Sequence, residues 1–197
     1  MTASAQPSKL WTIPNVLTLL RIAMTPFFLY AAWRGEFAIA FVLFVSAALT
    51  DVVDGYLARR LNQRSRLGAV LDPAADKALM VSGYLFFTLS SRVPSRIPEW
   101  LTFAVFIRDV LLVVFAYLLY TRMHFKKFPP SFAGKASTLL QVIALASNMA
   151  INSFAPSLGW VAGIFYRISL VATLYSGFDY IRKADLIIGA RTVKSET

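Results

Sequence analysis

Long apolar runs alternate along the chain with short polar breaks. Six runs stand out, roughly 15–33, 37–58, 68–90, 98–121, 134–154 and 159–181. Each has 19 residues or more. At about 1.5 Å of rise per residue, a helix of that length crosses a hydrocarbon layer about 30 Å thick. Gly35, the segment Pro94–Pro98, Pro129-Pro130 and Pro156 punctuate the connections. Pro26 lies inside the first run, where a kink is tolerated in lipid. Residues 8–14, SKLWTIP, suit a segment lying along the membrane surface through Lys9 and Trp11. The pattern predicts an all-α integral membrane protein, with six transmembrane helices after a short N-terminal interfacial segment. It forms a single domain over residues 1–197.

Composition supports this reading. Only 15% of the residues are charged and 57% are apolar, whereas a soluble domain carries about 25% charged residues. The chain has no cysteine, so disulfides and thiolate metal sites are excluded. The formal net charge is +10. The basic residues flank apolar runs, so anionic headgroups account for them better than nucleic acid does. Thirteen of the 20 Lys and Arg fall on one side of the predicted topology, including Arg59, Arg60, Arg64 and Arg66. Three fall on the other, Arg34, Arg92 and Arg96. This asymmetry places both termini and the loop around 59–67 in the cytoplasm. Trp100 and Trp160 begin the fourth and sixth runs, where an aromatic belt would put them.

One stretch contradicts the apolar pattern. Residues 51–76, DVVDGYLARRLNQRSRLGAVLDPAAD, carry four aspartates. Asp51 and Asp54 are spaced i, i+3 at the end of the second run, and so share a helix face. Asp72 and Asp76 are spaced i, i+4 at the start of the third. A short loop makes the two helices antiparallel neighbours, so both pairs can converge near the cytoplasmic surface. One aspartate at the centre of a membrane helix costs about 2.5–3.5 kcal/mol, and four close together also repel. Something cationic must hold them. Mg²⁺ binds carboxylates together with substrate phosphates, and four carboxylates can support two such ions. Gly55 and Ala58 offer almost no side chain, which lets a flat or phosphorylated group approach the backbone.

Written out, Asp51-x2-Asp54-Gly55-x2-Ala58-Arg59-x8-Gly68-x3-Asp72-x3-Asp76 resembles the complete signature of the CDP-alcohol phosphatidyltransferase family. The resemblance implies a six-helix membrane enzyme, usually a homodimer, with its site open to the cytoplasm. Such an enzyme moves a phosphatidyl group from a CDP-linked donor to an alcohol and releases CMP. By the match, Asp51, Asp54, Asp72 and Asp76 would hold two divalent cations, Mg²⁺ or Mn²⁺. Asp76 would also be the general base. Gly55, Ala58, Arg59 and Gly68 would line the CDP site.

The stretches Pro14-Asn15-x-Leu17-Thr18-x2-Arg21 and Gly134-Lys135-x2-Thr138-x2-Gln141 resemble the phosphatidylglycerophosphate and cardiolipin synthase branches. The donor would be CDP-diacylglycerol and the acceptor glycerol 3-phosphate, with phosphatidylglycerol as the alternative. Arg108-Asp109 and Ser137 look more like the cardiolipin branch. An N-terminus without an Arg-rich transit segment fits a bacterial inner-membrane protein and the glycerophosphate product. An anionic acceptor needs fixed cations, and Arg21, Arg108 and Lys135 are the candidates. Arg108 is expected to pair, if at all, with an aspartate on another helix, because adjacent helical residues such as Asp109 do not face one another. Membrane lipids and a second copy of the chain are the expected partners, and nucleic acid is not one. A transporter is the rival reading, since intramembrane Asp and Arg also mark ion paths. The internal repeats a transporter would show are missing from the sequence.

Overall fold

The computed structural model describes residues 13–60, 68–123 and 131–195, without the side chains of 13–14, 51–60, 68–70, 116, 118–120, 122–123 and 184–195. Among these residues all regular structure is helical. Six helices follow one another: α1 (Ile13–Trp33), α2 (Phe37–Arg60), α3 (Gly68–Leu89), α4 (Glu99–Met123), α5 (Phe132–Phe154) and α6 (Gly159–Ser195). A short 3-10 turn, Pro156–Leu158, precedes α6. Five of the six predicted runs agree with their helices to within two residues at either end. Of the predicted interfacial segment, residues 8–12 lie outside the described residues.

The punctuation works as the residue types dictate. Gly35 closes α1 with φ +79°, a left-handed conformation that costs glycine nothing. Its N–H reaches the Ala32 carbonyl at 3.0 Å and the Glu36 N–H reaches that of Ala31 at 2.9 Å. These paired bonds satisfy the last carbonyls of the helix and turn the chain into α2. Ser131 starts α5 two residues ahead of the apolar run, because its hydroxyl accepts from the Gly134 N–H at 3.0 Å and so caps a free helix end. The sixth helix runs 14 residues past the predicted end at 181. The apolar run stops at Arg182, but helix-forming residues continue, and Lys183 pairs with Asp179 at 2.8 Å one turn back.

The helices form two compact units, residues 1–94 with 149–156, and residues 95–148 with 157–197. In the first unit α1 packs against both α2 and α3. Phe28 of α1 lies 5.8 Å from Phe44 of α2 and 6.4 Å from Phe87 of α3, ring centre to ring centre. Phe37, the first residue of α2, meets Phe87 near the end of α3 at 5.9 Å, as expected of antiparallel neighbours. The Arg92 guanidinium sits 4.7 Å over the Trp33 ring and ties the end of α1 to the segment after α3. In the second unit α4 packs on α6. Asn148 of α5 donates to the Tyr166 hydroxyl of α6 at 2.6 Å and to the Ser95 carbonyl at 2.8 Å.

Both units expose many large apolar side chains and bury polar ones beside an apolar core. Phe27, Phe103, Val113, Val171 and Phe178 are exposed, while Arg21, Arg108, Gln141, Asn148 and Ser176 are buried. In water the exposed apolar surface would forgo much of the hydrophobic driving force. In lipid it is the stable arrangement, because apolar side chains face hydrocarbon and polar ones find partners between helices. Among the described residues, two stretches qualify as membrane spans by length and composition alone, Asn15–Trp33 and Pro156–Lys183.

Candidate active site

A polar stripe runs along one face of α1. Asn15, Thr18 and Arg21 recur every three residues and all three are buried. That spacing keeps them on one side of the helix, and the side they occupy faces α3. The Thr18 hydroxyl donates to Oδ1 of Asp72, and Nη1 of Arg21 donates to Oδ1 of Asp76. The two bonds form successive rungs. They climb together because α1 and α3 run in the same direction, the antiparallel α2 joining them in the chain. Asp72 and Asp76 are the fifth and ninth residues of α3, so one face carries both carboxylates, as their spacing predicts. The Arg21 side chain is fully buried, whereas that of Asp76 is 40% exposed. The acid is therefore anchored from behind and accessible in front.

Arg21 thus lies against one of the predicted metal ligands. Thr18 is a site contact that the residue-type reasoning left without a role. The signal for it was present in the sequence: a polar residue three positions before an arginine, in an otherwise apolar run.

The other predicted members divide between backbone and side chain. Asp51, Asp54, Gly55, Ala58 and Arg59 belong to α2, and Gly68 opens α3. Their side chains lie outside the described residues, so the convergence predicted for the four aspartates does too. Among the described residues no three acidic or imidazole groups cluster. What the described residues do show is a pair of oxygen donors on one helix face, each with its Oδ1 held by α1. Hard divalent cations prefer oxygen ligands, and Asp72 and Asp76 fit that chemistry.

The second unit holds the other two predicted cations. Arg108 of α4 is 6% exposed. Its Nη2 donates to the Gly134 carbonyl of α5 at 3.2 Å and to the Ser176 hydroxyl of α6 at 3.1 Å. Its Nη1 pairs with Asp109 at 2.9 Å. This last contact corrects the expectation that adjacent helical residues do not meet. The rule holds for Cβ directions, but the long arginine chain folds back along the helix and brings its head group to the next carboxylate. One guanidinium thereby ties three helices together.

Lys135 is exposed, one residue from the carbonyl that Arg108 holds. Gly134 lies so close to Tyr180 that an added Cβ would sit 2.9 Å from its hydroxyl oxygen. This explains the glycine of the Gly134–Gln141 stretch as a close helix approach. Two turns further along α5, Gln141 donates to Thr173 of α6 at 3.0 Å and to Ser137 at 3.3 Å.

Comparison with known proteins decides the family. The family model for CDP-alcohol phosphatidyltransferase matches residues 11–175. The chain belongs to the CDP-alcohol phosphatidyltransferase family. It is 34% identical over 203 aligned residues to a human protein named cardiolipin synthase (CMP-forming), covering 90% of this chain and 64% of that one. It is 33% identical over 174 residues to an Aquifex aeolicus protein named CDP-diacylglycerol–glycerol-3-phosphate 3-phosphatidyltransferase, covering 87% of this chain and 94% of that one. A Mycobacterium tuberculosis protein named probable phosphatidylglycerophosphate synthase is 28% identical over 203 residues, covering 96% of this chain and 93% of its own. The chain spans just under two thirds of the length of the human and rat relatives. The match contains the whole stretch from Asp51 to Asp76.

Proposed function

We propose that this chain transfers a phosphatidyl group from CDP-diacylglycerol to glycerol 3-phosphate, forming phosphatidylglycerophosphate and CMP. The observation that carries the proposal is the complete acidic signature, Asp51 to Asp76, lying inside a family match that covers most of the chain. The glycerol 3-phosphate acceptor is supported by the Aquifex relative, whose length this chain nearly matches. The six helices, each 21 residues or longer, and their lipid-type polarity support six membrane spans. The lopsided distribution of basic residues supports a site on the cytoplasmic side of a bacterial inner membrane. The family resemblance supports a homodimer.

In this reading the acceptor hydroxyl oxygen attacks the phosphatidyl phosphorus. A new phosphate ester bond forms, and the bond to the CMP oxygen breaks. CMP leaves with the electron pair, and the hydroxyl proton passes to the Asp76 carboxylate. Asp51, Asp54, Asp72 and Asp76 would hold two divalent cations, Mg²⁺ or Mn²⁺, which neutralise diphosphate charge when bound. The small side chains of Gly55 and Ala58 leave room for the donor, with Arg59 and Gly68 bordering it.

A second acceptor, phosphatidylglycerol, is favoured by the human relative and by Arg108-Asp109 and Ser137. The experiment is CMP release by purified protein with CDP-diacylglycerol and Mg²⁺ or Mn²⁺. Glycerol 3-phosphate and phosphatidylglycerol are supplied in parallel arms. CMP is expected only with metal and acceptor present, and mainly in the glycerol 3-phosphate arm. Release only with phosphatidylglycerol would establish the second acceptor. No release in any arm would reject the enzyme and favour a transporter.

A further inference from the structure

We infer that Thr18 and Arg21 are positioning residues for the acidic pair on α3, and that Arg21 is not an acceptor contact. The inference rests on the phosphatidyltransferase reading for its catalytic consequence, but its geometry stands alone. Three observations carry it.

The first is commitment. The Arg21 side chain is fully buried and its Nη1 is bonded to Asp76. With no exposed side-chain surface, it could meet an anionic acceptor only if the packing around it opened.

The second is redundancy. Aromatic packing already docks α1 on its neighbours, through Phe28 on Phe44 and Phe87, and Arg92 on Trp33 secures its far end. The polar rungs add little to docking. What they add is orientation, since each fixes Oδ1 of one aspartate.

The third is the matching of steps. Thr18 and Arg21 are one turn apart on α1, and their partners Asp72 and Asp76 are one turn apart on α3. A single α1 face therefore sets both carboxylate planes together. Partners of metal ligands typically change metal affinity or activity by about 10–100-fold when removed. The two rungs also differ in kind. Thr18 orients Asp72 with a neutral donor and leaves its charge undiminished. Arg21 orients Asp76 with a charged fork that lysine imitates only partly.

The test uses full-length protein in detergent and two independent readouts. Mn²⁺ binding is followed by electron paramagnetic resonance without substrates. Steady-state CMP release gives kcat, the glycerol 3-phosphate KM and the Mn²⁺ dependence. Arg21→Ala is expected to weaken Mn²⁺ binding by about 10–100-fold and lower kcat, with the acceptor KM within about twofold of wild type. Thr18→Val, which keeps the side-chain shape, is expected to weaken Mn²⁺ binding about 3–10-fold, at or below the lower end of that range. Arg21→Lys should recover part of the loss. Should Arg21→Ala fail to fold, Thr18→Val and Arg21→Lys decide the matter.

Unchanged or tighter Mn²⁺ binding in the variants would overturn the inference. So would a raised acceptor KM with Mn²⁺ affinity intact. Wild-type protein whose Mn²⁺ binding is weakened by the Thr18 and Arg21 substitutions, but which releases no CMP, would sink the enzymatic reading and leave the positioning role standing.

Discussion

Each unit buries one arginine of opposite consequence. Arg21 of α1 reaches an aspartate whose side chain is 40% exposed. Arg108 of α4 is enclosed. Its head group meets a backbone carbonyl, a serine and the neighbouring Asp109, and further along the same unit Gln141, Ser137 and Thr173 bond among themselves. The first arrangement leaves its carboxylate partly open. The second closes charge inward and ties helices together. A buried cation in a membrane helix is therefore not by itself a ligand site. What distinguishes the two is whether its partner can still be reached.

The sharpest way to break the comparison is to neutralise the open face. Asp76→Asn is expected to lower CMP release by at least about 100-fold, the lower end of what a general base supplies. Size-exclusion behaviour should stay close to wild type. Activity within a few fold of wild type would remove Asp76 from the chemistry.

The closed cluster should respond in stability first. Arg108→Met strands the Asp109 contact and empties the Gly134 and Ser176 bonds. It is expected to cost about 3 kcal/mol in SDS-unfolding measurements, as for other broken buried pairs. Unchanged stability with a raised acceptor KM would show that Arg108 belongs with the acceptor after all.

A smaller effect is expected at the α5–α6 approach. Gly134→Ala puts a methyl group against the Tyr180 hydroxyl and should cost about 1–2 kcal/mol through overpacking. Tyr180→Phe in the same chain should return part of it. The smallest effect belongs to Thr173→Val, which removes one hydroxyl from the Gln141 network. Hydrogen bonds between membrane helices average about 0.6 kcal/mol, and a loss beyond 2 kcal/mol would mean that the network acts as one unit.

Much of the fold was legible before any coordinates, for a simple reason. In lipid a helix must be long and apolar, and its ends must carry Gly, Pro or charge, so spans can be read one residue after another. The end of α6 was not legible that way. Apolarity ends near 181 while helix propensity does not, and hydropathy responds only to the first. The predicted acidic pair on α3 was legible because i, i+4 spacing fixes a face within one helix. Its partners were not, because Thr18 and Arg21 lie 54 and 55 residues away, and nothing local tells which face of α1 turns toward α3. The Arg108–Asp109 pair escaped for the opposite reason. It is as local as a contact can be, but it depends on how a long side chain bends under the pressure of its neighbours.

By itself the sequence determined the helical, lipid-type architecture, the family and the shared face of the two acids on α3, because these depend on composition, spacing and short-range geometry. Only the tertiary structure decided which buried arginine serves an open carboxylate and which closes a helix bundle. That choice depends on the facing of helices far apart in the chain, a quantity set by packing rather than by any local run of residues.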